Sequence, residues 1–142
     1  MSKIEYLIVK DENKEEIIEL YKDAGWWTKE NEIDDSFVME IVKNTFLFAV
    51  AKSEGKIIGM GRAISDGISD AYIQDVVVLK SFRKRGIGKG IIELLIRELK
   101  IRKVGWIALI SEPGSENFYK ELGFSEMKNY TPFIYEKGNN ND

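Results

Sequence analysis

One continuous stretch, Ala71 to Leu99 (AYIQDVVVLKSFRKRGIGKGIIELLIREL), constrains this chain more than any other. Its first part, Tyr72 to Leu79, is an apolar run rich in β-branched residues, as a buried strand requires. Its last part spaces Ile91, Ile92, Leu94, Leu95, Ile96 and Leu99 at helical intervals, with charged residues between them. The join holds Gly86, Gly88 and Gly90 together with Lys80, Arg83, Lys84, Arg85 and Lys89. A strand feeding a glycine turn and then a helix points the first helical N–H groups, and the positive end of the helix dipole, at whatever docks there. Glycines let a ligand approach the backbone, and basic side chains add charge-assisted bonds. The stretch therefore predicts an anion site of the phosphate or pyrophosphate kind.

Two common phosphate motifs are excluded. No G-x-x-x-x-G-K-[ST] string occurs, and a G-x-G-x-x-G fingerprint starting at Gly86 fails at Ile91. The remaining chemistry is narrowed by composition. The chain of 142 residues has neither Cys nor His, so disulfides, thiolate or His-based metal sites and Ser-His or Cys-His catalysis are out of reach. Carboxylates, Tyr, Lys and water are left as proton carriers. Formal net charge is −3, which argues against a general nucleic-acid footprint. Basic residues gather in the 80–89 turn; acids gather at Asp11 to Glu19, Glu30 to Asp35, and Asp66, Asp70 and Asp75. That separation suits an anionic cofactor at one place and a cationic substrate at another. No apolar run approaches a membrane span, and MSKIEYLIVK lacks the apolar core of a signal peptide, so a cytoplasmic protein is expected, with no membrane partner.

Taken in order, Ile4 to Val9 reads as a strand. Asn13 and Glu16 outline a capping box before a helix through Ile17, Ile18, Leu20, Tyr21 and Ala24, closed by Gly25. After Trp26, Trp27 and a polar segment, Phe37, Val38, Ile41 and Val42 mark a second helix capped at Asp34, Asp35 or Ser36. Phe46 to Lys52 and Ile57 to Ile64 read as strands joined by the turn Ser53-Glu54-Gly55-Lys56. A second turn, Ser65 to Asp70, leads into the organising strand, and helix 88–101 follows. Val104 to Ser111 is a strand, Ser115 to Leu122 a helix closed by Gly123, and Phe124 to Tyr135 the last strand or strands. The pattern predicts an α+β fold, a mixed sheet with helices on both faces, in one domain over 1–137 and a disordered tail at 138–142.

Arg83-Lys84-Arg85-Gly86-Ile87-Gly88 fits the Q/R-x-x-G-x-G/A signature of the GNAT superfamily of acyl-CoA-dependent N-acyltransferases, and the chain resembles that family over nearly its whole length. Val76-Val77-Val78 resembles the family's fourth strand, and Phe118 to Phe124 (FYKELGF) its aromatic-Tyr-x-x-x-Gly-Phe marker. The resemblance implies a sheet whose two central strands splay to admit acyl-CoA. It puts the pyrophosphate of acetyl-CoA on Arg85, Gly86, Ile87, Gly88, Lys89 and Gly90, with Arg83 and Lys84 nearby. The pantetheine arm would pair with Val76, Val77 and Val78 like an added strand. Lys80 stands where many relatives have Pro, and Lys84 where Gly is common.

The resemblance also names Tyr119 as the acid that protonates the departing thiolate; a phenol and an alkyl thiol are reasonably matched for that transfer. Asn117 is a second pantetheine candidate. Asp75, an acid inside an apolar strand, is the candidate base or amine anchor, ahead of Asp66 and Asp70, with a water relay as the alternative. Trp26 and Trp27 are candidates for lining the acceptor pocket, one of them for packing. No metal is implied. The expected reaction is direct acetyl transfer from acetyl-CoA to a primary amine of a small molecule in a ternary complex, since the commonest acyl-accepting nucleophile is missing. The alternatives are transfer to a protein N-terminus or lysine, and a non-catalytic acyl-CoA sensor. A homodimer through the C-terminal strands is a further implication of the resemblance.

Overall fold

The computed structural model describes residues 3–136. They fall into two compact units, divided between Leu109 and Ile110, each taken by itself below.

The first unit is a five-stranded mixed sheet in the order β1 (Ile4–Val9), β2 (Leu47–Ser53), β3 (Lys56–Ser65), β4 (Asp70–Val78) and β5 (Trp106–Leu109). The first three pairings are antiparallel. The fourth is parallel, because α4 (Ile87–Ile101) carries the chain from β4 to β5 as a crossover. Hairpin β2–β3 closes on Glu54-Gly55, both at positive φ (50° and 81°), the backbone that a two-residue primed turn demands. β4 pairs with β5 only over Asp70 to Ile73 and then continues through Val78.

Helices cover both faces. On one lies α4, with Ile91 and Leu95 against the bare backbone of Gly59 and Gly61. On the other lies α1 (Lys14–Asp23), whose Tyr21 reaches β4, with α3 (Phe37–Asn44) behind it. The buried set (Ile17, Leu20, Phe48, Ile57, Ile58, Met60, Ile91, Leu95, Leu99) is drawn from these elements.

Several details differ from the sequence reading. Asn13 caps α1 by accepting from Glu16 N–H at 3.1 Å, but the Glu16 carboxylate turns to Ile57 N–H (2.9 Å) instead of closing a box. The polar segment after the two tryptophans holds a further helix, α2 (Lys29–Ile33), with a true capping box between Thr28 and Asn31. In the second unit, α5 (Glu116–Glu121) forms as expected and Gly123 closes it at φ 98°. The last strand expected over Phe124 to Tyr135 does not form among the described residues. Tyr130 N–H instead bonds Met127 C=O in a turn, and Pro132 brings no donor to a ladder. A β-rich composition makes a strand only where a partner edge receives it. The tail expected at 138–142 lies outside the described residues.

Candidate active site

The basic turn has the backbone geometry that suits an anion. Lys84 and Gly86 both sit in the left-handed region (φ 63° and 78°), and Gly86 is the N-cap of α4. Left-handed residues within a turn fold successive N–H groups around a concavity that binds anions. The first amide of the helix to find a backbone acceptor is Gly90, which donates to Gly86 C=O at 3.1 Å. Among the described residues, the amides of Arg85 through Lys89 have no backbone acceptor in the chain. Nothing lies within 4 Å of a Cβ added at Gly86, so the cradle is open. Lys84, Arg85 and Lys89 are exposed around it, and the Arg85 guanidinium lies 5.2 Å from the Phe82 ring centroid. These features fit a diphosphate: donors without partners, room to approach, and cations at the rim.

Two members of the predicted set have other duties. A Cβ at Gly90 would collide with the Tyr6 ring, so the bare backbone there lets β1's tyrosine lie against α4. Arg83 donates from Nε to Val78 C=O (3.0 Å), and its Nη2 is 3.9 Å from Asp23, whose carboxylate also accepts Lys80 N–H at 2.8 Å. Asp23 and Arg83 thus brace the turn against α1, a task the sequence did not reveal.

The edge of β4 is partly available. Leu79 N–H donates to Ile58 C=O across β3, so alternation turns the polar groups of Val78 and Val76 the other way, to the side that β5 leaves at Ile73. With Val78 C=O taken by Arg83, the backbone of Val76 and the N–H of Val78 remain on that edge, while Val77 faces β3 opposite Met60.

Asp75 sits where the β3–β4 register slips by one residue, between the pairs Met60–Val77 and Arg62–Gln74. The bulge holds Asp75 at φ 58°, a left-handed backbone that a β-branched residue would resist and that Asp tolerates. Its carboxylate oxygen Oδ2 accepts from Tyr21 Oη (2.8 Å) and from Arg62 Nε (2.8 Å). Burial, the charge of Asp75 and the bond to it push the Tyr21 phenol far above its ordinary range, with Arg62 opposing. Tyr21 therefore stays a donor at any ordinary pH. Sequence reasoning read Tyr21 as core and overlooked Arg62. Yet Arg62 inside the apolar run Ile57 to Ile64 is the same signal as Asp75 in the next strand, with opposite charge.

The two tryptophans separate. Trp27 stacks on Phe37 at 5.8 Å, donates from Nε1 to Glu32 and lies under Lys22. Trp26 tilts against Tyr21 at 6.2 Å, beside the Asp75 cluster. Asp66 and Asp70 are exposed at the β3–β4 turn, where Asp66 accepts Ile68 N–H.

In the second unit, Tyr119 lies on α5 between Phe118 (4.9 Å) and Phe124 (5.8 Å), both edge-on. Burial raises its phenol above the usual value, and the charge of Glu112 adds to the rise. Asn117 is exposed.

A mixed sheet whose parallel crossover helix begins with amides lacking a backbone acceptor among the described residues, next to the part of β4 that β5 does not pair, has the geometry of a class of proteins suited to an extended phosphate-bearing ligand. The family can be stated outright: the chain belongs to the GNAT acetyltransferases, residues 8–135 matching the model described as "Acetyltransferase (GNAT) domain". That match runs across both units. A chloroplastic GCN5-related N-acetyltransferase 1 of Arabidopsis thaliana is 45% identical over 67 residues, 47% of this chain and 34% of that protein. The histone acetyltransferase TAP1 of Glycine max is 38% identical over 94 residues, 58% of this chain and 41% of that one. The chloroplastic serotonin N-acetyltransferase 2 of Oryza sativa subsp. japonica is 36% identical over 77 residues, 54% and 38% respectively. The chain thus spans less than half the length of these relatives. Among solved structures, a GNAT family acetyltransferase from Streptococcus pneumoniae superposes with a TM-score of 0.79 at 23% identity, over 94% of this chain and 97% of that one. The aminoglycoside N-acetyltransferase AAC(6')-Iy in complex with CoA gives 0.74 at 19%, over 95% and 96%. Among the described residues no helix is long and apolar enough to cross a membrane.

Proposed function

We propose that this protein transfers an acetyl group from acetyl-CoA to a primary amine of a small molecule, by direct attack within a ternary complex. The observation that carries the reading is the run of amides from Arg85 to Lys89 that have no backbone acceptor among the described residues, in a turn with Lys84 and Gly86 left-handed, beside the part of β4 that β5 does not pair. Acetyl-CoA supplies an activated thioester. The chain's own parts then divide the work. The 85–89 amides hold the diphosphate, and Lys84, Arg85 and Lys89 add charge at the rim. Val76 and the N–H of Val78 pair with the amide-rich arm as an added strand would. Asp75 anchors the ammonium of the acceptor and, directly or through water, takes the proton it must lose before its nitrogen can attack. Tyr119 donates a proton to the leaving sulfur; a raised phenol remains protonated, and so ready to donate, throughout the neutral range. Trp26 supplies an aromatic face beside Tyr21, the residue that holds Asp75, which suits a cation or a flat ring. The reading takes residues 1–137 as one catalytic domain working in the cytoplasm, without a metal.

Transfer to a protein acceptor is the second reading, favoured by the name of the Glycine max relative. Thiol release from acetyl-CoA, measured across a panel of small amines and of peptides with free N-termini or lysines, tests both. Release with small amines alone supports the first reading and release with peptides alone the second. Tight CoA binding without release marks a sensor. Replacing Gly86 and Gly88 together by Val should weaken CoA binding on the order of a hundredfold, through loss of several charge-assisted bonds. Unchanged affinity in a folded double variant would refute the phosphate turn.

A further inference from the structure

The carboxylate of Asp75 is gripped in an unusual way. Arg62 and Asp75 are largely buried, their side chains 14% and 13% exposed. A buried guanidinium and carboxylate normally meet through two parallel bonds that use both oxygens. Here Arg62 spends one nitrogen on Oδ2 of Asp75 and another, Nη1, on Thr45 Oγ1 at 3.2 Å. Thr45 is itself fixed, its hydroxyl donating to Ile41 C=O (2.6 Å) and its carbonyl receiving Lys10 Nζ (2.6 Å). Arg62 is therefore fixed at two points, and its bond to Asp75 is the single one from Nε to Oδ2. The second donor, Tyr21 Oη, arrives from α1 at the same oxygen. Helix α1, strand β3 and the β4 bulge converge on Oδ2, and among the described residues no side chain donates to Oδ1, the carboxylate's remaining acceptor. For stability alone, well-packed apolar side chains would serve as well as a buried ion pair, and without a left-handed residue in mid-strand.

We infer that Tyr21 and Arg62 are positioning residues that lock Asp75 through Oδ2 so that Oδ1 receives the cationic nitrogen of the acceptor amine. This deepens the acetyl-transfer reading and rests on it. The inference also fixes the kind of acceptor: a protonated primary amine whose attached group is small or flat enough to lie against Trp26, the ring beside Tyr21.

The test is steady-state kinetics of the whole chain with acetyl-CoA and two probe amines, 2-phenylethylamine and spermidine, for the wild type, Tyr21→Phe, Asp75→Asn and the double variant. Tyr21→Phe keeps the ring and removes only the donor. It should raise KM for the amine about tenfold, the effect of losing one hydrogen bond to a charged group, with KM for acetyl-CoA unchanged within about twofold. Added to Asp75→Asn, it should cost less than about twofold more, because it acts through that carboxylate. Arg62→Lys, which keeps the charge but cannot reach Asp75 and Thr45 together, should repeat the KM rise. Equal rises in both KM values, or full additivity with Asp75→Asn, would overturn the positioning role while acetyl transfer stood. If the wild type bound acetyl-CoA and acetylated neither amine, the inference and the small-amine reading would fall together.

Discussion

Lys84 and Asp75 are both non-glycine residues on left-handed backbone, at φ 63° and 58°, and the two tell different stories. Lys84 is exposed, and among the described residues its side chain makes no hydrogen bond or ion pair, so its conformation serves the shape of the turn and not its side chain. A Gly at this point, as the family resemblance implies, would adopt that φ without strain. Lys84→Gly should therefore stabilise the fold or leave it within about 1 kcal/mol, strain relief opposing the added chain entropy, and lower CoA affinity by no more than a single exposed cation contributes. Denaturant unfolding and calorimetric CoA titration check the two halves. Asp75 is held in its strained position by Tyr21 and Arg62, and Tyr21 makes a pH prediction. Its phenol is pushed up in the folded chain, whereas in the unfolded chain it titrates near the ordinary value of about 10. The unfolded state then loses that proton first, so the stabilisation is whole below about pH 10 and falls as pH rises beyond it. Thermal unfolding of the wild type from pH 8 to 11 should show this decline, and Tyr21→Phe should flatten part of it. A slope identical in the variant would mean that Tyr21 has no part in the alkaline loss.

Among the elements, the helix α4 shows how one sequence pattern carries two kinds of glycine. Gly86 has a left-handed φ and open space around it, whereas Gly90 has Tyr6 where a side chain would go. Gly86→Ala should cost about 1 kcal/mol of backbone strain. Gly90→Ala should cost more, about 2–3 kcal/mol, since it overpacks against a ring held by β1. Combining it with Tyr6→Ala should relieve the overlap, so that the double variant is more stable than the sum of the single ones implies. CoA affinity of the folded Gly90→Ala protein should stay as it was, which separates packing from phosphate binding at two positions of one motif. This is also where the sequence stops being informative. Strand-turn-helix order, the caps at Asn13 and Gly25 and the β2–β3 turn follow from local rules, and the structure has them where those rules put them. Gly90 and Tyr6 are more than eighty positions apart, and no local pattern links them. The bulge at Asp75 is equally silent, because a one-residue slip between β3 and β4 depends on both strands at once. The charges of Arg62 and Asp75 in adjacent apolar strands could have been matched from sequence; the tyrosine that completes the cluster looks like any other buried aromatic on an amphipathic helix.

At the scale of the whole molecule, an acidic chain with one basic turn should bind its ligand through that turn, and the ligand can be taken apart to show it. CoA carries both the diphosphate and the amide arm, whereas pantetheine carries only the arm. If the 85–89 amides and their surrounding cations supply most of the affinity, CoA should stabilise the protein by mass action, about 2.7 kcal/mol at a hundredfold excess over its Kd. Pantetheine at the same concentration should move the melting temperature little, because the edge it would pair with is short and Val78 C=O already accepts from Arg83. Salt should separate them further: exposed charges are screened over about 8 Å at physiological ionic strength, so raising it should weaken CoA more than pantetheine. The Gly86 and Gly88 double variant should bring CoA down to the level of pantetheine. Should pantetheine instead stabilise the wild type as well as CoA does, the strand edge and not the helix end would be the principal binding element, and the basic turn would be a solvated loop with five charges.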